Sequence, residues 1–156
     1  MLNLKQSLVE NDSILLNATA KTWQEAIERA TEPLVKSGAV EPRYTQAIIA
    51  STELHGPYYI LTPGMAMPHA RPKDGVNRDA FSLVILDKPV EFSDGKEVQV
   101  LIALAATSPS IHSSIAIPQI VALFDGPNVL DQMVAATSID DILQMIDQVD
   151  TSSYLK

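Results

Sequence analysis

Three histidines are the side chains in this sequence best suited to covalent chemistry: His55, His69 and His112. The chain contains no cysteine, which excludes disulfides, thiolate nucleophiles and cysteine-ligated metal sites. Imidazole has an ordinary pKa of about 6.5, so an unprotonated ring nitrogen can act as a nucleophile near pH 7. A single histidine is more often structural than functional, and the surroundings of each one therefore decide its interpretation.

The surroundings favour His69, which lies in the run GMAMPHARP at residues 64–72. Gly64 allows the backbone to bend, and Pro68 fixes the backbone immediately before the histidine. We expect the imidazole to lie where a strand leaves the sheet, beside a polar, turn-rich loop. Arg71 carries a planar guanidinium that can bind phosphate oxygens in a bidentate manner. On spacing alone, a plain turn followed by a solvated arginine explains the segment equally well.

Apolar patterns predict the elements that must position these side chains. Helices alternate with short apolar strands, which indicates an α/β fold with a single core. The helical patterns lie at 4–9, 22–38, 42–55, 108–124 and 129–134, with a last helix from 138 onwards. The β-prone runs lie at 14–16, 58–61, 81–86 and 98–105, with an irregular connection expected at 88–96.

One proline interrupts this pattern. Pro118 falls inside the predicted helix that begins after Ser108, where a proline removes a backbone hydrogen bond and should kink the helix. The sequence offers no functional reason for this kink.

Length and charge limit the classes of function. The 156 residues suggest one domain, and 46% hydrophobic residues indicate a folded chain. Eleven basic against 19 acidic residues, a net charge of −8, argue against a nucleic-acid partner. We see no secretory signal and no apolar run of the ~18–20 residues that a membrane helix needs. We therefore expect a soluble, cytoplasmic protein that does not insert into a membrane but can work beside a membrane protein.

Two segments resemble a known family. The run GMAMPHARP and the later histidine-bearing segment SIHSSIAIPQIVALF at 110–124 resemble the type-2 enzyme IIA domains of the bacterial phosphoenolpyruvate-dependent phosphotransferase system (PTS), the fructose/mannitol-like IIA family. The likeness covers nearly the whole chain. Four further segments are most similar to the ascorbate-specific IIA components of that family: TWQEA at 22–26, VEPRY at 40–44, HGPY at 55–58 and AMPH at 66–69.

The resemblance implies a fold and roles for particular residues. It implies a single domain at 1–150 with a short tail at 151–156, and a mixed parallel and antiparallel sheet of about five strands flanked by helices on both faces. It implies that His69 is phosphorylated at Nε2 and that His112 is the second active-site histidine.

One position departs from the family pattern. Mannitol-type members carry an arginine where this chain has Thr52, so a positive charge for the phosphoryl group must come from elsewhere. Arg71 is our candidate for this phosphate-binding role, and His55 is a weaker one.

The resemblance also implies partners. The phosphoryl group would come from the histidine-containing carrier protein HPr and pass to a IIB component with a cysteine acceptor, serving a membrane IIC component indirectly, in L-ascorbate import. No cofactor is implied beyond the transient phosphoryl group on the histidine, and no metal. Two alternatives are a regulatory domain that signals through its phosphorylation state and a metallohydrolase that uses the three histidines. The second is weak, because no H-E-x-x-H or comparable ligand spacing is present.

Overall fold

A mixed four-stranded sheet lies at the centre of the protein. The computed structural model describes residues 2–126 and 128–149. Its elements follow in the order α1 (Leu4–Glu10), β1 (Ile14–Ala18), α2 (Trp23–Ser37), α3 (Pro42–His55), β2 (Gly64–Ala66), β3 (Ala80–Phe81), β4 (Leu83–Glu91), β5 (Glu97–Leu101), β6 (Leu104–Ala105), α4 (Pro109–Ile111), α5 (Ile117–Phe124), α6 (Val129–Ala135) and α7 (Ile139–Asp147). A 3-10 turn lies at Pro72–Asp74, and a π-helical turn at His112–Ala116 joins α4 to α5.

The strand order in the central sheet is β1-β4-β5-β2. β1 runs parallel to β4, β2 runs parallel to β5, and the two middle strands are antiparallel to each other. The predicted mixed α/β sheet is therefore confirmed, with four strands in the main sheet. The short strands β3 and β6 pair antiparallel in a second, two-stranded sheet.

Helices cover both faces of the main sheet, as expected. Alternate residues of β4 point to opposite sides, so Val84 and Leu86 join one apolar cluster while Leu83 and Ile85 join the other. The first cluster is closed by buried residues of α2 and α3, and the second by buried residues of α1, α5, α6 and α7.

Local signals in the sequence fix the helix ends. The Thr22 hydroxyl accepts from the backbone N–H of Glu25 at 3.2 Å and caps α2, and Gly38 ends that helix with a φ of +82°. The Ser108 hydroxyl accepts from the N–H of Ile111 at 3.2 Å and caps α4. The predicted starts of both helical segments are thus confirmed.

Three sequence predictions about strands were wrong. The run at 98–105 forms two strands, β5 and β6, which belong to different sheets. The β-prone run at 58–61 forms a turn rather than a strand, and the strand on this side of the sheet is β2, a few residues later. The segment at 88–96 is not wholly irregular, because β4 continues to Glu91. Its Pro89 lies where the β4–β5 register shifts between Ile85 and Val90, and at such an irregularity a strand tolerates a residue without an N–H.

In the described part of the chain, no helix combines the length and apolar character needed to cross a bilayer. The predicted tail at 151–156 lies outside the described residues.

Candidate active site

His69 lies three residues after the end of β2, and the backbone between them is anchored by neighbouring segments. Gly64 begins the strand with a φ of +91°, which other residues rarely adopt, and a Cβ here would also force the Leu130 side chain to move, so glycine is favoured. The N–H of Met67 donates to the Tyr59 carbonyl at 2.9 Å, and the N–H of Leu104 donates to the Pro68 carbonyl at 3.0 Å. The backbone that leads into His69 is therefore fixed by neighbouring segments.

The orientation of the His69 ring is set by its own backbone. Nδ1 lies 2.9 Å from the carbonyl oxygen of Met67. A carbonyl oxygen only accepts hydrogen bonds, so Nδ1 carries the hydrogen and Nε2 keeps its lone pair in the neutral ring. Burial lowers the pKa of the half-buried His69 below its ordinary value, and the bond to Met67 opposes that shift without cancelling it. The imidazole is therefore neutral near pH 7.

The ring of His112 lies against that of His69. The two ring centroids are 4.5 Å apart and the ring planes are inclined by 52°. His112 lies in the first turns of the helical segment that Ser108 caps, so this helix carries the second imidazole to the first. Burial lowers the pKa of His112, and the neighbouring His69 lowers it further, because two charged rings would repel each other. The site thus holds two neutral imidazoles in contact.

Two tyrosines pack edge-on around His69. The ring of the exposed Tyr58 lies 5.6 Å from the His69 ring, centroid to centroid, at 86°, and its hydroxyl donates to the His69 carbonyl at 3.3 Å. The ring of the buried Tyr59 lies 6.5 Å away at 68°. Its hydroxyl donates to the Thr52 hydroxyl at 2.7 Å, which in turn donates to the Ile48 carbonyl. Burial raises the pKa of Tyr59 to about 12. The side chain at position 52 is therefore enclosed in a neutral hydrogen-bonded pair.

A third tyrosine ties the segment after His69 to the sheet. The buried Tyr44 hydroxyl accepts from the N–H of Ala70 at 3.0 Å and donates to the Leu104 carbonyl at 2.6 Å. Burial holds the pKa of this phenol far above its ordinary value, so it stays protonated and able to donate. Tyr44 links α3, the His69 segment and β6 through one atom.

Arg71 and His55 line an open groove together with His69, Tyr58 and Leu54. The Arg71 side chain is 69% exposed, and its Nε lies 3.2 Å from Oδ2 of Asp74 in the following 3-10 turn. His55 is the last residue of α3 and is exposed. The structure thus brings His69 and His112 into ring contact and places Arg71 and His55 at the groove beside His69. Within the described residues, no three histidine, aspartate or glutamate side chains are arranged to hold a metal ion.

Sequence reasoning missed the tyrosines that build this site. Tyr44 was predicted to lie in a helix and Tyr58 and Tyr59 in a β-prone run, and none of the three was given a role in the site. For Tyr44 a signal was present: a tyrosine on the apolar face of a helix places a hydroxyl in the core, and such a group needs a partner.

Comparisons with known proteins identify the family of the chain. The family model described as "Phosphoenolpyruvate-dependent sugar phosphotransferase system, EIIA 2" matches residues 7–149. The chain is 43% identical over 154 residues to the ascorbate-specific PTS system EIIA component of Escherichia coli strain K12, covering 97% of this chain and 100% of that protein.

Solved structures of the same family are similar throughout. A Streptococcus mutans protein, whose crystal structure carries the name PTS IIA(PtxA), is 57% identical with a TM-score of 0.96 over 99% of both chains. An Escherichia coli enzyme IIA, solved in complex with phosphorylated enzyme IIB of the mannitol system, is 27% identical with a TM-score of 0.75, covering 94% of this chain and 97% of that one. The protein therefore belongs to the EIIA type-2 family of the phosphoenolpyruvate-dependent sugar phosphotransferase system and is a phosphotransferase component of such a system.

Proposed function

We propose that this protein carries a phosphoryl group on Nε2 of His69, which it receives from HPr and delivers to a cysteine of a IIB component. The observation that carries the proposal is the hydrogen bond between Nδ1 and the Met67 carbonyl, because it leaves Nε2 as the nucleophilic nitrogen. The half-buried ring with a lowered pKa keeps that nitrogen unprotonated at cytoplasmic pH.

The transfer itself demands little covalent work from the protein. The Nε2 lone pair attacks phosphorus in line, and the bond between phosphorus and the donor's imidazole nitrogen breaks, returning its electron pair to the donor. In the second half-reaction the IIB thiolate attacks phosphorus, a P–S bond forms and the P–Nε2 bond breaks. Nδ1 keeps its hydrogen throughout, so His69 leaves as a neutral imidazole. Positioning and charge stabilisation then account for most of the rate.

The arriving group brings a charge of about −2, which nearby groups must balance. Arg71 is the candidate cation at the groove, and its exposed ion pair with Asp74 is worth at most about 1 kcal/mol, so it can turn towards a phosphoryl group at little cost. His55 is a weaker candidate at the same groove. His112 is a neutral ring in contact with His69, and it can offer a hydrogen bond to a phosphoryl oxygen.

The groove supports a face on which other carrier proteins dock. Leu54 and Tyr58 are 77% and 50% exposed at its edge, next to the reactive histidine. Such apolar side chains suit transient contacts with partner proteins, and they do not depend on the overall negative charge of the chain. The structural relative bound to a phosphorylated IIB supports a IIB component as the acceptor.

We assign the import route to L-ascorbate on the names of the relatives. A IIA component does not contact the sugar, which the membrane IIC component binds, so the site geometry says nothing about sugar identity. The 43% identity over the full length of an ascorbate-specific relative supports this assignment.

Reconstitution tests the proposal. The protein is incubated with phosphoenolpyruvate, enzyme I and HPr, then with a IIB component, and phosphorylation is followed by intact mass. We expect one acid-labile phosphoryl group, its loss on transfer to IIB, and no phosphorylation of His69→Ala. His55→Ala is the matched control and should be phosphorylated.

Two outcomes contradict the proposal. Phosphorylation of a folded His69→Ala variant would show that another residue is the acceptor. Phosphorylation of the wild type without transfer to any IIB would favour the alternative of a regulatory domain.

A further inference from the structure

The helical segment 109–124 changes its hydrogen-bond spacing in one place. The N–H of Ile117 donates to the carbonyl of His112, five residues back, where an α-helix would use Ser113. The next residue is Pro118, which has no N–H and whose ring would clash with the carbonyl four residues earlier, that of Ser114. The widened π turn ends at Ala116, two residues before this proline, and its wider spacing removes the clash.

Pro33 shows that a proline inside a helix does not by itself produce a π turn in this protein. Pro33 lies inside α2, a continuous α-helix over Trp23–Ser37. A proline can therefore be accommodated in this protein without an extra residue in the turn. The difference must lie in what holds the 109–124 segment on the two sides of the π turn.

That segment is anchored on both sides of the π turn. At the start, Ser108 caps the helix, and the preceding Thr107 donates its N–H to the Asp79 carboxylate at 2.6 Å. After the π turn, near the start of α5, the buried Gln119 accepts from the N–H of Leu4 and donates to the Leu2 carbonyl, both at 2.8 Å. Held on both sides, the segment contains one residue more than a regular helix would, and Pro118 favours placing that residue in the turn before it.

This extra residue determines which way His112 points. Each residue of an α-helix turns by about 100° and rises by 1.5 Å, so a one-residue offset would rotate His112 by about a quarter turn relative to α5. Its ring could not then lie 4.5 Å from that of His69. We infer that Pro118 is a positioning residue: it stabilises the π turn through which the helix presents the His112 ring to His69. The relevance of this contact to phosphoryl transfer rests on the proposed function, but the contact itself does not.

The first test uses the unphosphorylated protein. In Pro118→Ala the residue at 118 regains an N–H and loses the ring clash, so the extra residue is no longer held at this turn, and we expect α spacing between His112 and Ile117. NMR contacts between the ring protons of His69 and His112 should disappear. Pro33→Ala, the same change in a helix without a π turn, should retain them. Persistence of both the π turn and the ring contact in Pro118→Ala would overturn the inference.

A second variant tests whether Pro118→Ala acts by rotating His112 or by a general loss of structure. Ser114 is exposed within the π turn, and its deletion makes Ile117 the fourth residue after His112, so the same pair can bond with α spacing. Deleting Ser114 alone makes the Pro118 ring clash with the carbonyl four residues earlier, so it should destabilise the fold. Combined with Pro118→Ala, the deletion should restore the ring contact. If the combined variant folds without the contact, the inference is wrong, and this holds even where Pro118→Ala alone fails to fold.

Transfer kinetics separate this inference from the proposed function. Pro118→Ala should slow phosphorylation of His69 by about the same factor as His112→Ala, and the two changes together should slow it no further. Equal transfer rates in Pro118→Ala and wild type, despite a lost ring contact, would overturn the positioning role. If the wild type accepts no phosphoryl group at all, the proposed function fails while the NMR result still decides the geometry.

Discussion

The two histidines of the site are held in different ways. The His69 ring is fixed by its own segment, through Nδ1 to the Met67 carbonyl, and that segment is bonded to Tyr59 and Leu104. The His112 ring is carried by a helix, and within residues 2–126 and 128–149 no hydrogen bond reaches its ring. Its position depends instead on the rotation of the helical segment 109–124 that carries it.

This difference suggests different roles for the two histidines. A nucleophile must present one nitrogen along one line, which a fixed tautomer and a fixed ring provide. A group that stabilises an arriving phosphoryl must adjust to it, which a ring without a fixed partner can do. We therefore interpret His69 as the acceptor and His112 as its assistant, and the following predictions test that contrast.

The largest effect is expected from His112→Ala. The acceptor keeps its orientation, so phosphorylation should persist, but the loss of a hydrogen bond to a charged group, worth about 1.5–3 kcal/mol, should slow it about ten- to a hundredfold. Stopped-flow phosphorylation from HPr measures this rate, with Lys73→Ala, an exposed residue outside the groove lining, as the control. Complete loss of phosphorylation would show that both histidines are required and would contradict the assigned roles of acceptor and assistant.

Tyr44→Phe tests how firmly the His69 segment is anchored. The change leaves the N–H of Ala70 and the carbonyl of Leu104 without their buried partner, which should cost about 1–3 kcal/mol of the free energy of unfolding. Urea denaturation measures this loss. Tyr58→Phe, which removes an exposed hydroxyl, should change stability by no more than about 0.5 kcal/mol. Equal stability of the two variants would show that Tyr44 does not anchor the segment.

Arg71→Ala should have a smaller effect on transfer and almost none on folding. An exposed cation contributes about 1 kcal/mol or less, so phosphorylation should slow no more than about fivefold. Lys73→Ala is the matched control, because it removes an exposed positive charge from the same turn without altering the groove. Identical rates for the two variants would mean that Arg71 is not the phosphate-binding cation.

The smallest effect is a shift in titration. Burial lowers the pKa of both histidines, so NMR titration should give both midpoints below 6.5. In His69→Gln the pKa of His112 should rise only in part, because burial, the larger cause, remains. Midpoints at or above 6.5 would contradict the neutral pair.

The same shifts set the pH dependence of stability. Folded pKa values below the unfolded ones mean that the unfolded chain binds more protons, so the stability present above pH 6.5 falls as pH drops through the folded values. The rate at which His69 is phosphorylated should likewise stay constant down to about pH 6.5 and fall as the pH drops through the lowered pKa of His69.

The sequence predicted the two histidines that lie in ring contact better than it predicted the residues that support them. His69 and His112 lie in local segments that carry their own signals, a glycine and proline before one and a helix cap before the other. Tyr44 contacts Ala70 and Leu104, which are 26 and 60 positions away, and no local pattern encodes such a contact.

The errors have the same origin. The run at 58–61 has high β propensity, yet its residues turn to place aromatic edges against His69, because tertiary packing overrides propensity. Pro118 correctly predicted a disturbed helix. The sequence could not predict that the disturbance is a π turn. We attribute this turn partly to hydrogen bonds at Thr107 and Gln119, whose partners are distant in the sequence.

The central claim is that phosphorus binds Nε2 of His69 while Nδ1 keeps its hydrogen. The most direct test is 15N and 31P NMR of the protein phosphorylated by HPr, with 15N-labelled histidine. We predict coupling of phosphorus to Nε2 of His69 and a protonated Nδ1 that still donates to Met67. Coupling to Nδ1, or to a nitrogen of His112, would contradict the account.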